Sequence, residues 1–263
     1  MPPLFSVPGV VQGRFLGLLC VVALFLSVIY YMRRKKSLYI RKVAGLDAIE
    51  DAVGRATEMR KPAVCSFGIG GFGYSTVFGL AILSYVAELS AKMGTRLIVP
   101  TGGGTASMVV RPVAQDIVRQ AYIAAGREDM YKDEDIPFFS GQQYAYIGGY
   151  VGVLQRTRPA VVVMVGSHAS ETLNITETSN AVGAIVISSA TSVSYAAFLT
   201  CSSDYCLIGE EGPAAGAYLS QDPSQRASIG SQDLFKWVAL ILIVVGLAAY
   251  NVGSDVIIRL LQS

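Results

Sequence analysis

Uncharged apolar runs stand near both ends of this chain, at 15–32 and 237–253, while between them hydrophobic positions come in short blocks separated by glycine turns. The first run, FLGLLCVVALFLSVIYYM, approaches the ~20 residues needed to cross a hydrocarbon core ~30 Å thick. It predicts a transmembrane helix. Arg33, Arg34, Lys35 and Lys36 follow it and only Arg14 precedes it, so the positive-inside bias predicts residues 1–14 outside and residues 33–44 as a basic cytoplasmic link. A cleaved signal sequence would carry its charges ahead of a shorter apolar core, a pattern absent here. The second run carries Trp237 and Tyr250 at opposite ends, as interfacial aromatics do, and predicts a second span over 237–253 followed by a tail at 254–263.

Residues 45–222 read as one soluble-type domain. Leu46, Ile49, Val53 and Ala56 recur at helical spacing with acids between them, which predicts a surface helix with one apolar face. Ala63 to Phe67 reads as a buried strand, Ser75 to Met93 as a buried helix, Arg96 to Val99 as a second strand and Ala106 to Ala125 as another helix. REDMYKDEDIP, at 127–137, reads as a charged, solvated loop. Ser140 to Gln155 reads as a helix rich in small residues, Ala160 to Val165 as a strand, and 169–180 as the segment after it. Ala184 to Ile187, Tyr195 to Leu199, Asp204 to Ile208 and GEEGPAAGAYLSQ continue the alternation. Strands alternating with helices imply βαβ crossovers and a mainly parallel sheet covered on both faces. The expected fold is therefore a Rossmann-like α/β three-layer sandwich, tied to the second span by a linker at 223–236 that opens with Asp222-Pro223.

Charge narrows the partners. Lys and Arg number 21 against 19 Asp and Glu, and the run 33–36 supplies the excess, so nothing resembles a nucleic-acid footprint. The basic run serves as a topology signal beside membrane lipid. Of the four cysteines, Cys201 and Cys206 are spaced C-x4-C, with no second pair or histidine cluster to complete a zinc site. No metal and no cofactor is required by the sequence.

Two glycine clusters are the candidate chemistry. Gly68, Gly70 and Gly73 satisfy G-x-G-x-x-G after the first strand, with Gly71 between them, where a backbone could approach a phosphate at a helix N-terminus. An acidic residue at the end of the second strand would hold a ribose, but that strand ends Val99-Pro100-Thr101. There Thr101, Gly102, Gly103, Gly104 and Thr105 form a second glycine nest with two hydroxyls. A nucleotide or other anionic small molecule held between the two nests is one reading. The other is that the glycines permit tight turns and close packing. His168, the single histidine, follows Ser167 and precedes Ser170 and Glu171. Ser167 and His168 join the two nests as candidate ligand contacts; a base beside a serine is conceivable, yet Ser167 also explains itself as a helix N-cap, and no catalytic residue is assigned. Glu210 and Glu211 suit a helix N-terminus. The small-residue faces at Ala145, Gly148 and Gly152 and at Ala214 to Ala217 favour side-by-side packing of identical subunits, which predicts a homo-oligomer.

The segments RKVAGLDAIEDAVGRATEMRKPAVCSFGIGG, TGGGT, GSHASET and GEEGPAAGAYLS, placed in this order between two anchors, resemble an uncharacterised prokaryotic family of membrane-anchored proteins of unknown function. That resemblance supports the two-pass architecture, expected in a plasma (inner) membrane, where the positive-inside bias predicts the domain cytoplasmic and both termini outside. It implies no activity. The function expected from these features is a membrane-organising, homo-oligomeric scaffold rather than an enzyme.

Overall fold

A computed structural model describes residues 21–23, 25–27, 30, 40–41, 43–71, 73–103, 105–168 and 171–251, without the side chains of 105–109, 242, 249 and 250. Outside the described residues lie the segment 1–14, most of the first apolar run, the basic run 33–36, Gly104, Ser170, the side chain of Thr105 and the tail 254–263. The chain forms two compact units, residues 40–220 and the two ends together.

In the first unit, five strands form one sheet: β1 (Ala63–Gly68), β2 (Leu97–Ile98), β3 (Val161–Ser167), β4 (Ile185–Ala190) and β5 (Tyr205–Ile208). Every pairing is parallel, and the order is β2-β1-β3-β4-β5, one of the two common doubly wound orders. The direction of winding reverses between β1 and β3. The helices are α1 (Ala44–Glu58), α2 (Tyr74–Met93), α3 (Thr105–Ala124), α4 (Gln143–Thr157), α5 (Thr172–Ala181), α6 (Val193–Ser202) and α7 (Glu211–Ser220).

Because successive strand side chains point to opposite faces, the sheet divides its core in two. Cys65, Phe67, Val161, Val163, Val165 and Ile187 meet α1, α2 and α3 on one face. Val64, Ile98, Val162 and Met164 meet Tyr146, Tyr150 and Leu154 of α4 and Ile175 of α5 on the other. Strands buried on both sides are continuous apolar runs, which is why Ala63 to Phe67 and Ala160 to Val165 were readable as strands. Helix α2 is long and apolar enough to cross a membrane, yet half of it is buried in the domain, in line with the buried helix expected over Ser75 to Met93.

Two expectations are corrected here. The charged segment 127–137 is a strap along the outer edge of β2. Asp135, 5 % exposed, takes hydrogen bonds from Arg96 Nε at 3.1 and 3.0 Å and from Arg96 Nη2 at 2.5 Å. The backbone of the strap completes the edge: Val99 N–H donates to Asp135 O, Thr101 N–H to Pro137 O, and Phe139 N–H to Thr101 O. The acids that read as solvated are thus partly spent on holding the strap down. Second, the linker expected at 223–236 is helical. Pro223, tolerated at a first helical position, opens α8 (Pro223–Asn251), which runs through the second apolar stretch without a break.

That helix belongs to the second unit. Its 29 residues span ~43 Å at 1.5 Å per residue. Leu240, Ile241, Ile243, Val244, Val245 and Leu247 are all more than half exposed. The described residues of the first apolar run are also helical, and Phe25 meets Phe235 edge to face with ring centroids 5.3 Å apart.

Candidate functional site

In a doubly wound sheet a ligand enters the crevice beyond the carboxyl ends of the strands at the reversal of winding. Here the ends of β1, β2 and β3 carry nearly every candidate residue, and the chain fills much of that space itself. Gly68 sits at φ +86°, at a shift in the β1/β3 register between Ser66 and Gly68. A Cβ there would collide with the backbone oxygen of Ser167. The same oxygen accepts from Ile69 N–H at 3.1 Å and Gly70 N–H at 3.3 Å. Gly70 in turn has no room for a Cβ beside the Ser167 side chain. Thr76 Oγ1 donates back to Gly71 O at 2.8 Å, and the N–H groups of Thr76 and Val77 donate to Gly73 O. The glycines at 68 and 70 therefore let the β1 and β3 loops close on each other, and two N–H groups that a phosphate would want are already engaged.

The second nest is similarly occupied. Thr101 is fully buried and its hydroxyl donates to Pro137 O at 2.9 Å, so it is turned away from the crevice. Gly102 lies against the Tyr146 ring so closely that a Cβ would overlap it. Gly103 N–H donates to Ser140 O at 2.8 Å.

Ser167 is not a helix N-cap. It ends β3, and α5 begins at Thr172 with Glu171 at its cap position. His168 Nε2 lies 3.4 Å from Ser66 O, while Nδ1 lies 3.7 Å from Glu171 Oε1, close enough for an ion pair but too far for a hydrogen bond. Its side chain is 2 % exposed and that of Glu171 is fully buried. The other Glu171 oxygen accepts from Gln143 Nε2 at 2.6 Å. Among the described residues, which leave out Ser170, no serine hydroxyl meets either ring nitrogen of His168.

Beneath it lies a polar group that sequence reasoning missed. The Ser66 and Tyr146 hydroxyls are 2.8 Å apart, and Gly68 N–H donates to Ser66 Oγ. Tyr150 stacks edge to face on Tyr146, with centroids 5.7 Å apart. Burial pushes both phenols well above the ordinary tyrosine range, so they act as neutral hydroxyls. The signal was the i, i+4 spacing of Tyr146 and Tyr150, which puts both on one face of α4.

The remaining candidates separate. Glu211 Oε2 accepts from Ile208 N–H at 3.1 Å, while Glu210 O accepts from Ala214 N–H. At the β5–α7 turn Glu211 thus uses its carboxylate and Glu210 its backbone carbonyl. Among the described residues no group of three His, Cys, Asp or Glu is placed to share a metal. Burial pushes the Cys65 thiol up, far from reactivity. The two small-residue faces have opposite fates. Ala215 and Ala217 are buried, and Gly212 and Gly216 seat Phe78 of α2, so this face is spent inside the domain. On α4, Gly149 faces Phe139, whereas Gly148 opens onto empty space and Gly152 meets only the side chain of Arg156.

These features define an α/β domain with a parallel five-stranded sheet, joined to a unit of apolar helices. The chain belongs to the family described as a domain of unknown function, DUF6754, which it matches over residues 9–261. No curated protein and no solved structure matches it.

Proposed function

We propose that this protein is a two-pass membrane protein of a prokaryotic inner membrane, whose Rossmann-like domain lies on the cytoplasmic side and assembles with copies of itself as a membrane-organising scaffold. One observation carries the reading: among the described residues the nest N–H groups of Ile69, Gly70 and Gly103 are already engaged by the protein's own backbone, while α4 to α6 present exposed small and apolar groups with few charges among them. The exposed apolar side chains of α8 and the Phe25–Phe235 contact support a helical pair in lipid. Anchored copies share one plane and one orientation, so weak contacts suffice to hold them together.

A nucleotide or other anion is the weaker reading, because a ligand at the nests would have to draw on N–H groups other than those of Ile69, Gly70 and Gly103. Native mass spectrometry of the gently solubilised full chain separates the two. A closed multiple of the chain mass without an adduct supports the scaffold. A monomer carrying a stoichiometric, nucleotide-sized adduct would replace it with the ligand reading.

A further inference from the structure

The outer surface of α4, α5 and α6 is unlike the rest of the domain. Helix α5 lies between α4 and α6, and the chain from Thr178 to Ser203 contains no charged residue. Across the three helices only Arg156 and Glu177 are charged and exposed. Neither has a hydrogen-bond or ion-pair partner in the described structure. Around them Tyr144 is 85 % exposed, Val193 92 % and Phe198 51 %, with Leu173 between. We infer that this face docks on the same face of a second copy, related by a two-fold axis. The inference rests on the assembly reading above and names the surface that serves it.

Three features select a second copy as the occupant. A two-fold interface sets each residue i against j and j against i. A patch with unpaired charge of both signs, Arg156 with Arg158 at the end of α4 and Glu177 on α5, is complementary to itself in this arrangement: Arg156 of one copy meets Glu177 of the other, twice. A surface of one sign would repel itself, and a surface without a basic cluster offers nothing to nucleic acid or anionic lipid. Next, Gly148 opens onto empty space on α4, where a facing helix can approach closely, and the Arg156 guanidinium lies beside it over Gly152. Last, the area is adequate. Helices of 15, 10 and 10 residues, at 1.5 Å rise and about 10 Å spacing, project roughly 500 Å². That is more than half of the ~800 Å² that a standard interface buries per partner, the scale of a weak contact that co-anchored copies can use.

The test is charge exchange in the full-length, solubilised protein, read as the concentration at which the assembly half-dissociates. Glu177→Arg and Arg156→Glu each leave two like charges facing and are expected to raise that concentration at least tenfold. The double variant R156E/E177R is expected to restore it. Phe198→Asp provides an independent break, with circular dichroism confirming that each variant is folded. If the chain assembles but neither charge reversal nor Phe198→Asp weakens it, the docking face is elsewhere and the assembly reading survives. If the wild-type chain stays monomeric at every concentration, both fall. Labelling of the Phe198 region by a lipid-borne photo-crosslinker in the assembled wild type would also overturn the inference, by placing the face against the bilayer.

Discussion

The two faces of the sheet are alike within and opposed without. Inside, each packs fully buried apolar strand residues against helices: Cys65, Val163 and Ile82 on the α1–α3 side, Val162, Met164 and Tyr150 on the α4–α6 side. Outside, α1, α2 and α3 carry Asp47, Glu50, Asp51, Arg55, Glu88, Lys92, Arg111, Asp116 and Arg119, while α4 to α6 expose only Arg156 and Glu177 as charges. Exposed apolar residues occur on the first side too, such as Met59 and Ile123, but scattered singly among charges. The difference shows that core burial settles the fold, whereas the composition of the outer surface settles what the fold meets.

Substitutions can break that comparison at graded depth. The largest losses belong to the shared interior. Met164→Ala on one face and Ile82→Ala on the other should each cost about 2–5 kcal/mol in urea unfolding, since both residues are fully buried. A large asymmetry between them would mean that one face is not a true core. Gly68→Ala comes next, at about 2 kcal/mol or more, because it combines an unfavourable positive φ with a collision against the β3 loop. Unchanged stability would show that the loops are not locked together as described.

A smaller effect is expected at high pH. Burial raises the Tyr122 phenol from 10 to about 12. A group whose folded pKa lies above its unfolded value contributes stability that is whole below pH 10 and lost as pH rises toward 12, because only the unfolded chain can ionise it easily. Tyr122→Phe should lessen this alkaline loss by its own share, beside those of Tyr146 and Tyr150, while costing about 1 kcal/mol at neutral pH through the missing hydrogen bond to Thr95 O. A variant as alkali-sensitive as the wild type would assign the loss to another tyrosine. The smallest effect belongs to the outer surfaces. Val113→Asp on α3 and Phe198→Asp on α6 should each change unfolding free energy by about 0.5 kcal/mol or less, and only the second should reduce assembly.

The alternation of strands and helices was legible because strands buried on both faces leave continuous apolar runs and because glycine turns punctuate them. Element ends shifted by a few residues where a turn competes with a cap, as at Ser167, whose backbone oxygen is claimed by the β1 loop. The strap at 127–137 was not legible, since acids that pair with Arg96 look no different in sequence from acids in water. The linker misread has a similar cause: SQRASIGSQD is polar, but helix formation depends on the capable residues on both sides of it. As for the site, the glycines were found and their work was not. Gly68 and Gly70 make room for Ser167, and Gly102 for Tyr146, contacts more than 40 residues apart in the chain that no local pattern encodes. The buried tyrosine pair and the absence of charge from Thr178 to Ser203 could both have been found, the first by helical spacing and the second by counting.

Hydroxyl-radical footprinting of the membrane-embedded full chain tests the contrast between the faces most directly, because it reads side-chain accessibility residue by residue. The account predicts that Tyr144 and Phe198 are labelled several-fold less in the wild type than in the Glu177→Arg variant, while Met59 and Ile123 are labelled equally in both. Equal labelling of Tyr144 and Phe198 in the two proteins would contradict it.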